Sequence, residues 1–366
     1  MRIGLLGFGS MGKTHKYCVD NLKYFFQTEQ SVEVVALCTR HIEKAKEIAE
    51  RFSIQKYTVN EDDIIYDPEI DAIDICTPNI YHYETAKKAL LAGKHIYCEK
   101  PLAISYTQAK ELADIAKNQG VKAFMVFNNR FLLPVMRAKE LIEKGELGRI
   151  ISFNAKYLHS SALDINKKAG WKQDKDICGA GVLFDLGSHV IDLIYYLCGE
   201  FESVIGKSQI AYPTRVGVNG EVWQTNADEA FYMISKLKNG AYGTIEVSKI
   251  SLGSNDDLAF EIRGEKGSIK FDLMELNFLY FYSNESKEKG YTKIECVNRY
   301  PSPGGIFPGI KAPVGWLRGH LGNYYAFCDS VINNKKASPS FDDGAYVQRV
   351  MECAYASDRE GKEITL

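Results

Sequence analysis

Short apolar runs alternate with longer, partly polar stretches through the first 126 residues. The runs have the length and composition of buried parallel strands, and the stretches between them have the spacing of helices. The predicted strands are 2–6, 32–38, 54–57, 71–76, 94–98 and 122–126. This alternation predicts the α/β class, with a doubly wound parallel sheet in a first domain over residues 1–126.

From residue 127 the pattern changes to long alternating runs. The predicted strands here are 150–157, 230–237, 241–247, 259–263 and 268–273, and helices are expected at 135–144, 321–332 and 345–359. Residues 238–240 and 264–267 have the composition of hairpin turns. We therefore expect a second α/β domain over 127–366, with a large, mainly antiparallel open sheet. Such a sheet is covered by helices on one face and by another subunit on the other, so we expect a homo-oligomer.

Composition and charge narrow the range of partners. The chain carries 45 basic and 47 acidic residues, a formal net charge of −2, so we expect neither nucleic acid nor an anionic membrane as partner. No window reaches the ~18 apolar residues of a membrane span, and the opening run is too short for a secretion signal. The nine cysteines are scattered without a Cys-x-x-Cys pair, which is typical of reduced thiols in a cytoplasmic protein. The expected partner is a small molecule or another subunit.

A glycine-rich turn follows the first predicted strand. Residues 7–12 are Gly-Phe-Gly-Ser-Met-Gly, and a helix is predicted from about Lys13 to Phe26. In this setting the first glycine permits a tight turn, the second lets backbone approach a pyrophosphate, and the third packs helix on strand. The amino end of the helix then faces the phosphates. The turn therefore predicts a dinucleotide site.

The residues after the second strand bear on the choice between NAD and NADP. Proteins that bind NAD usually carry an acid there, whereas this chain has Thr39 and Arg40. Without a carboxylate nothing repels a 2′-phosphate, and Arg40 could pair with one or lie over the adenine. We expect NADP or NAD, with NADP slightly favoured. The alternative is that Arg40 is a solvated residue at the start of a helix.

Polar residues also follow the fourth and fifth strands, at the edge where open α/β sheets bind ligands. Residues 77–79 are Thr-Pro-Asn, with His82 three positions further, and residues 99–101 are Glu-Lys-Pro. The proline stiffens the turn that holds Lys100, so its ammonium group can be aimed. These residues are expected to converge on one crevice. Taken alone, Asn79 would be a helix cap and His82 a partly exposed helix residue.

In the second half, Asp185 and His189 are four residues apart, and Asp192 is three further. On a helix these side chains share one stripe. The glycines at 179 and 181 allow a cofactor or substrate to approach closely. The pair could be a structural ion pair or two ligands of a metal site. Because a metal needs a third ligand and no HExxH or Cys/His cluster supplies it, we expect no metal.

Together these four motifs resemble the Gfo/Idh/MocA family, the relatives of glucose-fructose oxidoreductase and inositol dehydrogenase. The resemblance runs over nearly the whole chain, with the motifs in the family's order. It implies a Rossmann domain followed by an α/β domain whose large open sheet often forms dimers or tetramers. It also implies a bound nicotinamide cofactor, a sugar, cyclitol or related polyol as substrate, and a cis peptide before Pro101.

By the same resemblance, Lys100, Asp185 and His189 are the catalytic set. The residues that would bind the cofactor are Gly7, Gly9, Ser10, Met11, Gly12, Thr39, Arg40, Thr77, Pro78, Asn79, His82, Glu99 and Lys100. The chain departs from the family at Thr39, where many members carry an acid, and at Ala180, where a glycine is common. The first departure leaves the cofactor choice open, and the second is minor.

The implied chemistry is hydride transfer, by a dehydrogenase or reductase that acts on CH–OH groups. As hydride leaves a carbinol carbon for nicotinamide, the hydroxyl must lose its proton to a base of near-neutral pKa. His189 is the expected acid/base, since an imidazole titrates near ~6.5. Lys100 would donate a hydrogen bond to the same oxygen, and Asp185 would bind a neighbouring hydroxyl or orient the pair.

Substrate contacts are the least determined part of the prediction. The expected substrate-binding residues are Lys100, Asn128, Tyr157, Trp171, Asp185 and His189. A long loop at 301–309 could cover the pocket. His320 could also reach it, although a capping or packed role is commoner for a lone histidine near a helix start.

Two other functions fit the same motifs. One is a glycoside hydrolase that uses tightly bound NAD to oxidise, eliminate and reduce again, so that the cofactor is not consumed. The other is a non-catalytic sugar or nucleotide sensor on the same scaffold. The presence of Lys100, Asp185 and His189 argues against the sensor, because a sensor needs no groups for proton transfer.

Overall fold

The computed structural model describes residues 1–26, 30–166, 168–297 and 315–366, which form two compact units. Within these ranges, the first unit comprises residues 1–131 and 316–346. The second comprises 132–297, 315 and 347–366. The domain boundary expected after residue 126 stays a prediction, and the loop expected at 301–309 lies outside the described residues.

The elements alternate in the first third of the chain and become mainly strands in the middle. The helices are α1 (Ser10–Phe25), α2 (Ile42–Arg51), α3 (Asp62–Ile65), α4 (His82–Leu91), α5 (Tyr106–Gln119), α6 (Leu133–Glu143), α7 (Lys175–Cys178), α8 (Ser188–Cys198), α9 (Leu317–Ile332) and α10 (Phe341–Glu360). The strands are β1 (Arg2–Leu6), β2 (Glu33–Cys38), β3 (Lys56–Thr58), β4 (Ala72–Ile75), β5 (His95–Cys98), β6 (Ala123–Met125), β7 (Ile150–Leu158), β8 (Phe201–Gln209), β9 (Thr214–Val216), β10 (Val222–Gln224), β11 (Ala230–Leu237), β12 (Tyr242–Ser248), β13 (Asp257–Gly264), β14 (Gly267–Asp272), β15 (Phe278–Ser283), β16 (Thr292–Glu295) and β17 (Ile364–Thr365).

The first unit contains a six-stranded parallel sheet in the order β3-β2-β1-β4-β5-β6. Helices cover both of its faces, which is why every residue of β4 is buried. The strand order reverses between β1 and β4, and open sheets of this kind bind ligands at the carboxyl ends of strands beside such a reversal. The predicted doubly wound sheet is confirmed.

Local sequence signals account for the ends of α5. The Ser105 hydroxyl accepts a hydrogen bond from the Gln108 backbone N–H, which caps the amino end. Gly120 ends the helix in the left-handed region, at φ +66°. The turn between β5 and α5 contains the cis peptide between Lys100 and Pro101 that the family resemblance implied.

Helix α9 belongs to the first unit, although it lies almost 200 residues beyond β6 in the chain. Its inner face carries Tyr324 and Phe327, whose rings lie 4.4 and 5.2 Å from the ring of Tyr97 on β5. These side chains are almost wholly buried. Aromatic burial of this kind stabilises the packing of α9 on the sheet.

The second unit contains a nine-stranded sheet in the order β16-β15-β14-β13-β7-β12-β11-β8-β17. Its neighbouring strands are antiparallel except β7 and β12, which run parallel. A small sheet pairs β9 with β10. The prediction of a large, mainly antiparallel open sheet is confirmed.

One face of this sheet is buried and the other remains exposed. Along β11, buried and exposed residues alternate, as expected for a sheet that is covered on one side. The exposed face carries large apolar side chains on four neighbouring strands, namely Ile151, Ile205, Tyr232, Ile234 and Tyr242. We call these five residues the exposed sheet face.

The helix expected around Asp185 is irregular. Residues 183–187 form a π-helical turn that leads directly into α8.

By length and composition, residues 175–198 could cross a membrane, but 78% of the most apolar window is buried within the protein. That degree of burial is typical of a core helix, so the stretch is weak evidence for a span.

Candidate active site

The glycine turn between β1 and α1 has the shape that a dinucleotide site needs. Gly7 adopts φ +94°, and a Cβ there would lie 2.7 Å from the Cys76 carbonyl oxygen. A Cβ on Gly12 would lie 2.3 Å from the Gly7 carbonyl oxygen, so this glycine lets α1 pack against the turn. A Cβ on Gly9 would meet nothing within 4 Å. The first and third glycines are therefore structural, and the second borders open space.

The amino end of α1 adds to this fit. No side chain caps the helix at Gly9, so its first-turn N–H groups, from Ser10 and Met11 onward, have no side-chain acceptor there. The hydroxyl of Thr77, just beyond the end of β4, is buried and has no hydrogen-bond partner in the part of the chain that the structure describes. Unpaired donors around open space are what a bound diphosphate would satisfy. The residues present fit a dinucleotide.

The end of β2 has a mixed charge. Thr39 donates a hydrogen bond through its hydroxyl to the His41 carbonyl oxygen at 3.2 Å, and Arg40 is exposed. Burial and the nearby charges of Glu61 and Asp63 raise the pKa of Cys38 to about 11. An exposed guanidinium and two carboxylates thus lie around the position expected for the adenosine ribose.

His82 links two of the loops at the carboxyl edge of the first sheet. Its Nδ1 lies 2.8 Å from the Pro101 carbonyl oxygen, and its Nε2 lies 2.8 Å from the Thr77 carbonyl oxygen. Only a protonated ring can donate to both oxygens, yet burial lowers the pKa of His82. The ring is buried, as is Asn79 nearby, so His82 ties the Thr77 loop to the Lys100 turn.

A buried ion-pair network includes Glu99, the residue before Lys100. Sequence analysis did not predict this network. His15 on α1 lies 2.8 Å from Asp74 through Nδ1 and 3.3 Å from Glu99 through Nε2. Burial lowers the pKa of His15, but Asp74 and Cys76 outweigh this and raise it well above the usual value. Burial raises the pKa of Glu99, but its ion pair with His15 brings it down to about 2. An imidazolium therefore holds two carboxylates.

Glu99 also holds the backbone of the next residue, Lys100. Its Oε2 accepts a hydrogen bond from the Lys100 backbone N–H at 3.2 Å. The only signal of the network in the sequence is His15 itself, three residues after the last glycine of the turn. Its partner Asp74 is 59 residues away in the chain.

Two residues of this network, together with Cys76, form the one group among the described residues whose side chains are close enough to hold a metal ion. His15, Asp74 and Cys76 each offer an atom within 4.8 Å of the others. These atoms already contact one another at 2.8 to 3.4 Å, and burial raises the pKa of the Cys76 thiol. The hydrogen bonds satisfy the three groups without an ion, and the absence of a metal stays a prediction.

In the second unit, Asp185 is held by lysines. Lys172 contacts its two oxygens at 2.9 and 3.0 Å, and Lys249 contacts Oδ2 at 3.1 Å. Lys249 is buried, so its ion pair is well shielded from solvent. The predicted stripe of Asp185, His189 and Asp192 assumed a regular helix. The π-helical turn at 183–187 alters that phase, because it contains more residues per turn than an α-helix.

Tyr157 lies next to His189 in the second unit. Its ring centroid lies 6.0 Å from that of His189, edge to face. Its hydroxyl donates to Asp256 Oδ1 at 2.6 Å, and His159 Nε2 lies 2.8 Å from the same oxygen. Burial raises the pKa of Tyr157, and the Asp256 and Asp185 charges raise it further. Asp256 was not singled out in the sequence because it lies in a polar turn without a motif.

The segment with Gly179 and Gly181, before Asp185, is supported by Asp228, which sequence analysis missed. Asp228 accepts hydrogen bonds from the Tyr355 hydroxyl at 2.7 Å and from the Val182 backbone N–H at 3.1 Å. A Cβ on Gly181 would lie 2.1 Å from Asp228 Oδ1, so only glycine fits there. Burial raises the pKa of Asp228 to about 6.

The two remaining expected substrate residues differ in exposure. Asn128 is buried in a short 3-10 turn and donates to the Asn129 side chain at 3.3 Å. Trp171 is 37% exposed, with the Lys172 ammonium group 5.7 Å from its ring centroid. Each of these roles stays a prediction.

Comparison with known proteins supplies the family. Residues 1–127 match the family profile described as the NAD-binding Rossmann fold of an oxidoreductase family, and residues 139–366 match its C-terminal alpha/beta domain. The family is Gfo/Idh/MocA, so the resemblance deduced from the motifs is confirmed.

Individual relatives cover nearly the whole chain. Levoglucosan dehydrogenase of Pseudarthrobacter phenanthrenivorans is 32% identical over 95% of this chain and 93% of its own length. Glucose-6-phosphate 3-dehydrogenase of Bacillus subtilis is 29% identical over 100% of this chain and 98% of its own length. A solved structure of levoglucosan dehydrogenase in complex with NADH and levoglucosan is 31% identical, with a TM-score of 0.95 over 100% of this chain and 99% of that one. The chain therefore belongs to the Gfo/Idh/MocA family of NAD-binding oxidoreductases, which includes sugar dehydrogenases.

Proposed function

We propose that this protein is a nicotinamide-dependent dehydrogenase that transfers hydride between the coenzyme and a carbinol or keto carbon of a sugar, cyclitol or related polyol. The observation that carries the proposal is the glycine turn, where open space at Gly9 adjoins uncapped helix N–H groups. Relatives over almost the full length are named as dehydrogenases of levoglucosan and glucose 6-phosphate, which supports a sugar as substrate.

The proposed chemistry divides into a hydride step and a proton step. Nicotinamide, when bound, accepts or returns the hydride. His189 takes the proton from the reacting hydroxyl during oxidation and returns it during reduction. Lys100 donates a hydrogen bond to the reacting oxygen and stabilises the charge that develops there.

The remaining residues hold these groups in place. The buried His15–Glu99 pair fixes the turn that presents Lys100. Asp185, whose charge is offset by Lys172 and Lys249, acts as a fixed acceptor for a neighbouring hydroxyl. We assign substrate contact also to Asn128, Tyr157 and Trp171.

The coenzyme-binding residues proposed from the family motifs are those of the glycine turn and of the three loops at the carboxyl edge. His82 is proposed to act through the loops that it joins, since both ring nitrogens face carbonyl oxygens. Arg40 favours a 2′-phosphate, whereas Glu61 and Asp63 oppose one. We therefore propose a small preference for NADP over NAD.

The nine cysteines are free thiols, which supports a reducing, cytoplasmic location as a further part of the proposal. We also propose that the exposed sheet face joins two copies of the chain in a homodimer, alone or within a homotetramer. What supports this is that apolar side chains on four adjacent strands form an exposed patch, of the kind that two-fold dimers bury.

A substrate panel tests the proposed reaction. Levoglucosan, glucose, glucose 6-phosphate and myo-inositol are offered with NAD and with NADP, and nicotinamide absorbance is followed. We expect sugar-dependent reduction of the coenzyme, with a kcat/KM for NADP equal to or moderately above that for NAD. Cleavage of a glycoside without net coenzyme reduction would indicate the hydrolase. Binding of sugar without any turnover would indicate the sensor.

A further inference from the structure

Arg318 is a buried cation for which the described part of the chain supplies no counter-charge. It is the second residue of α9 and is only 3% exposed, and neither terminal nitrogen of its guanidinium has a hydrogen-bond partner among the described residues. Other buried cations of the first unit are paired: Lys16 with Asp20, and Arg130 with Asp343. Lys94 donates to two backbone carbonyl oxygens. Because an unpaired buried charge is costly, Arg318 calls for an anion.

His320, two residues further, shares this condition. It is 2% exposed, and within the described ranges both ring nitrogens lack a hydrogen-bond partner. Burial lowers the pKa of Arg318 to about 10 and that of His320 to about 3. At neutral pH the first residue of this pair is therefore a cation and the second is a neutral donor.

The packing of α9 locates both side chains at the carboxyl edge of the first sheet. Tyr324 donates to Asp74, which is within β4, and its ring lies 4.4 Å from Tyr97 within β5. One turn earlier, His320 is close enough to Glu99 and Lys100, beyond the end of β5, for their charges to act on its pKa. Moving toward the amino end of α9 thus leads past the strand ends, and Arg318 lies further in that direction.

The first helix reaches the same edge. His15 is in the second turn of α1, and its ring centroid lies 6.4 Å from that of His320. The amino end of α1 is where a diphosphate fits the glycine turn. Thr77, with its unpartnered buried hydroxyl, lies at the end of the intervening β4.

From this placement we propose that Arg318 binds the diphosphate of the nicotinamide coenzyme and neutralises part of its charge. The inference rests on the coenzyme part of the proposed function. A helix amino end supplies the equivalent of roughly half a positive charge, against two negative charges on the diphosphate. Lys13, the one cation in the first turn of α1, is exposed to solvent. A buried guanidinium supplies the missing charge together with two parallel donors.

The test compares ligands that contain the diphosphate with one that lacks it. Dissociation constants of NADH, ADP-ribose and adenosine are measured for wild type, Arg318→Met and Arg318→Lys. We expect Arg318→Met to weaken NADH and ADP-ribose by about 10- to 100-fold, the usual range for loss of charge-assisted hydrogen bonds. Adenosine affinity should not change, and Arg318→Lys should fall between the other two proteins. Arg51→Met, which removes an exposed cation at the far end of α2, is the matched control.

Thermal unfolding of the coenzyme-free protein separates binding from structure. Since Arg318 is unpaired, Arg318→Met should melt at the same temperature as wild type or higher, but should gain less from added NADH. A coenzyme-free variant that melts several degrees lower would overturn the proposal, because it would make Arg318 structural.

Two binding results would also overturn the inference. One is that Arg318→Met binds NADH and ADP-ribose with affinities within twofold of wild type. This includes the case in which only the KM for a sugar phosphate rises. The other is an equal loss of affinity for adenosine. A wild type that binds NADH but oxidises no sugar would remove the proposed reaction and leave this binding test intact.

Discussion

At the scale of single residues, two of the expected site residues have charged neighbours that no local sequence pattern predicts. Glu99 is paired with His15 and Asp185 with two lysines. Motifs with short spacing predict Lys100, Asp185 and His189 as catalytic residues, and these roles stay a prediction. Such motifs could not predict His15 with Asp74, or Tyr157 with Asp256, because these pairs are 59 and 99 residues apart and form only when the sheets do.

The first prediction concerns the buried His15 network. His15→Gln removes the cation between Asp74 and Glu99, and breaking a buried pair in this way should lower the free energy of unfolding by about 3 kcal/mol. Urea unfolding of both proteins measures the difference. Lys44→Gln, which removes an exposed partner of Glu47, should leave the free energy of unfolding nearly unchanged.

The pH dependence of that difference follows from the two pKa shifts. Glu99 has a lowered folded pKa, so its contribution is complete above 4.5 and is lost as pH falls toward about 2. His15 has a raised folded pKa, so its contribution is complete below 6.5 and is lost as pH rises through the folded value. The stability gap should therefore be widest between pH 4.5 and 6.5. A gap that grows steadily toward alkaline pH would contradict a protonated His15.

A second prediction concerns Asp256. Asp256→Asn weakens the carboxylate contact to Tyr157 and His159, so we expect kcat/KM for the sugar to fall by about tenfold while NADH affinity stays unchanged. Asp257→Asn changes the adjacent carboxylate, which accepts a hydrogen bond from the Asn255 backbone N–H. Equal kcat/KM values of the two variants would show that Asp256 has no role in substrate binding.

At the scale of elements, hydrophobic periodicity was a good guide to the first unit and a poorer one to the second. All six parallel strands were predicted, since a buried strand between helices has a distinct apolar run. The prediction for the second unit missed β8, β9, β10, β15, β16 and β17. The π-helical turn at 183–187 was missed because its sequence favours an ordinary helix. Packing of α9 against the first sheet depends on contacts that are remote in the chain.

The glycine turn allows a test with a matched pair of variants. Gly9→Ala places a methyl group in open space, so the coenzyme-free protein should keep its melting temperature while NADH binding weakens by at least about tenfold. Gly12→Ala places the methyl group 2.3 Å from the Gly7 carbonyl oxygen, so it should destabilise the fold itself. Calorimetry and NADH titration measure the two effects. Unchanged NADH affinity in Gly9→Ala would mean that the space is not a diphosphate site.

At the scale of the whole molecule, the exposed sheet face is the feature that a lone chain leaves unexplained. Ile205 and Ile234 are directly paired across β8 and β11, and they are 44% and 53% exposed. Apolar pairs in the middle of a sheet face are typical of surfaces that a second subunit covers.

Charge placed on that face should disrupt the assembly. We expect wild type to be a homodimer or homotetramer in size-exclusion chromatography with light scattering, and Ile205→Lys/Ile234→Lys to shift toward the monomer. Leu252→Lys adds charge at an 89% exposed turn residue and should leave the assembly intact. A monomeric wild type would refute the oligomer.

The proposed reaction depends on His189 as the group that takes the proton when hydride leaves the sugar. The most direct measurement is the rate at which bound coenzyme is reduced in a single turnover, with the best sugar from the panel, by wild type and by His189→Ala. We expect a rate about 100- to 10,000-fold lower in the variant, the usual contribution of a general base, with NADH affinity unchanged. Equal single-turnover rates in the two proteins would contradict it.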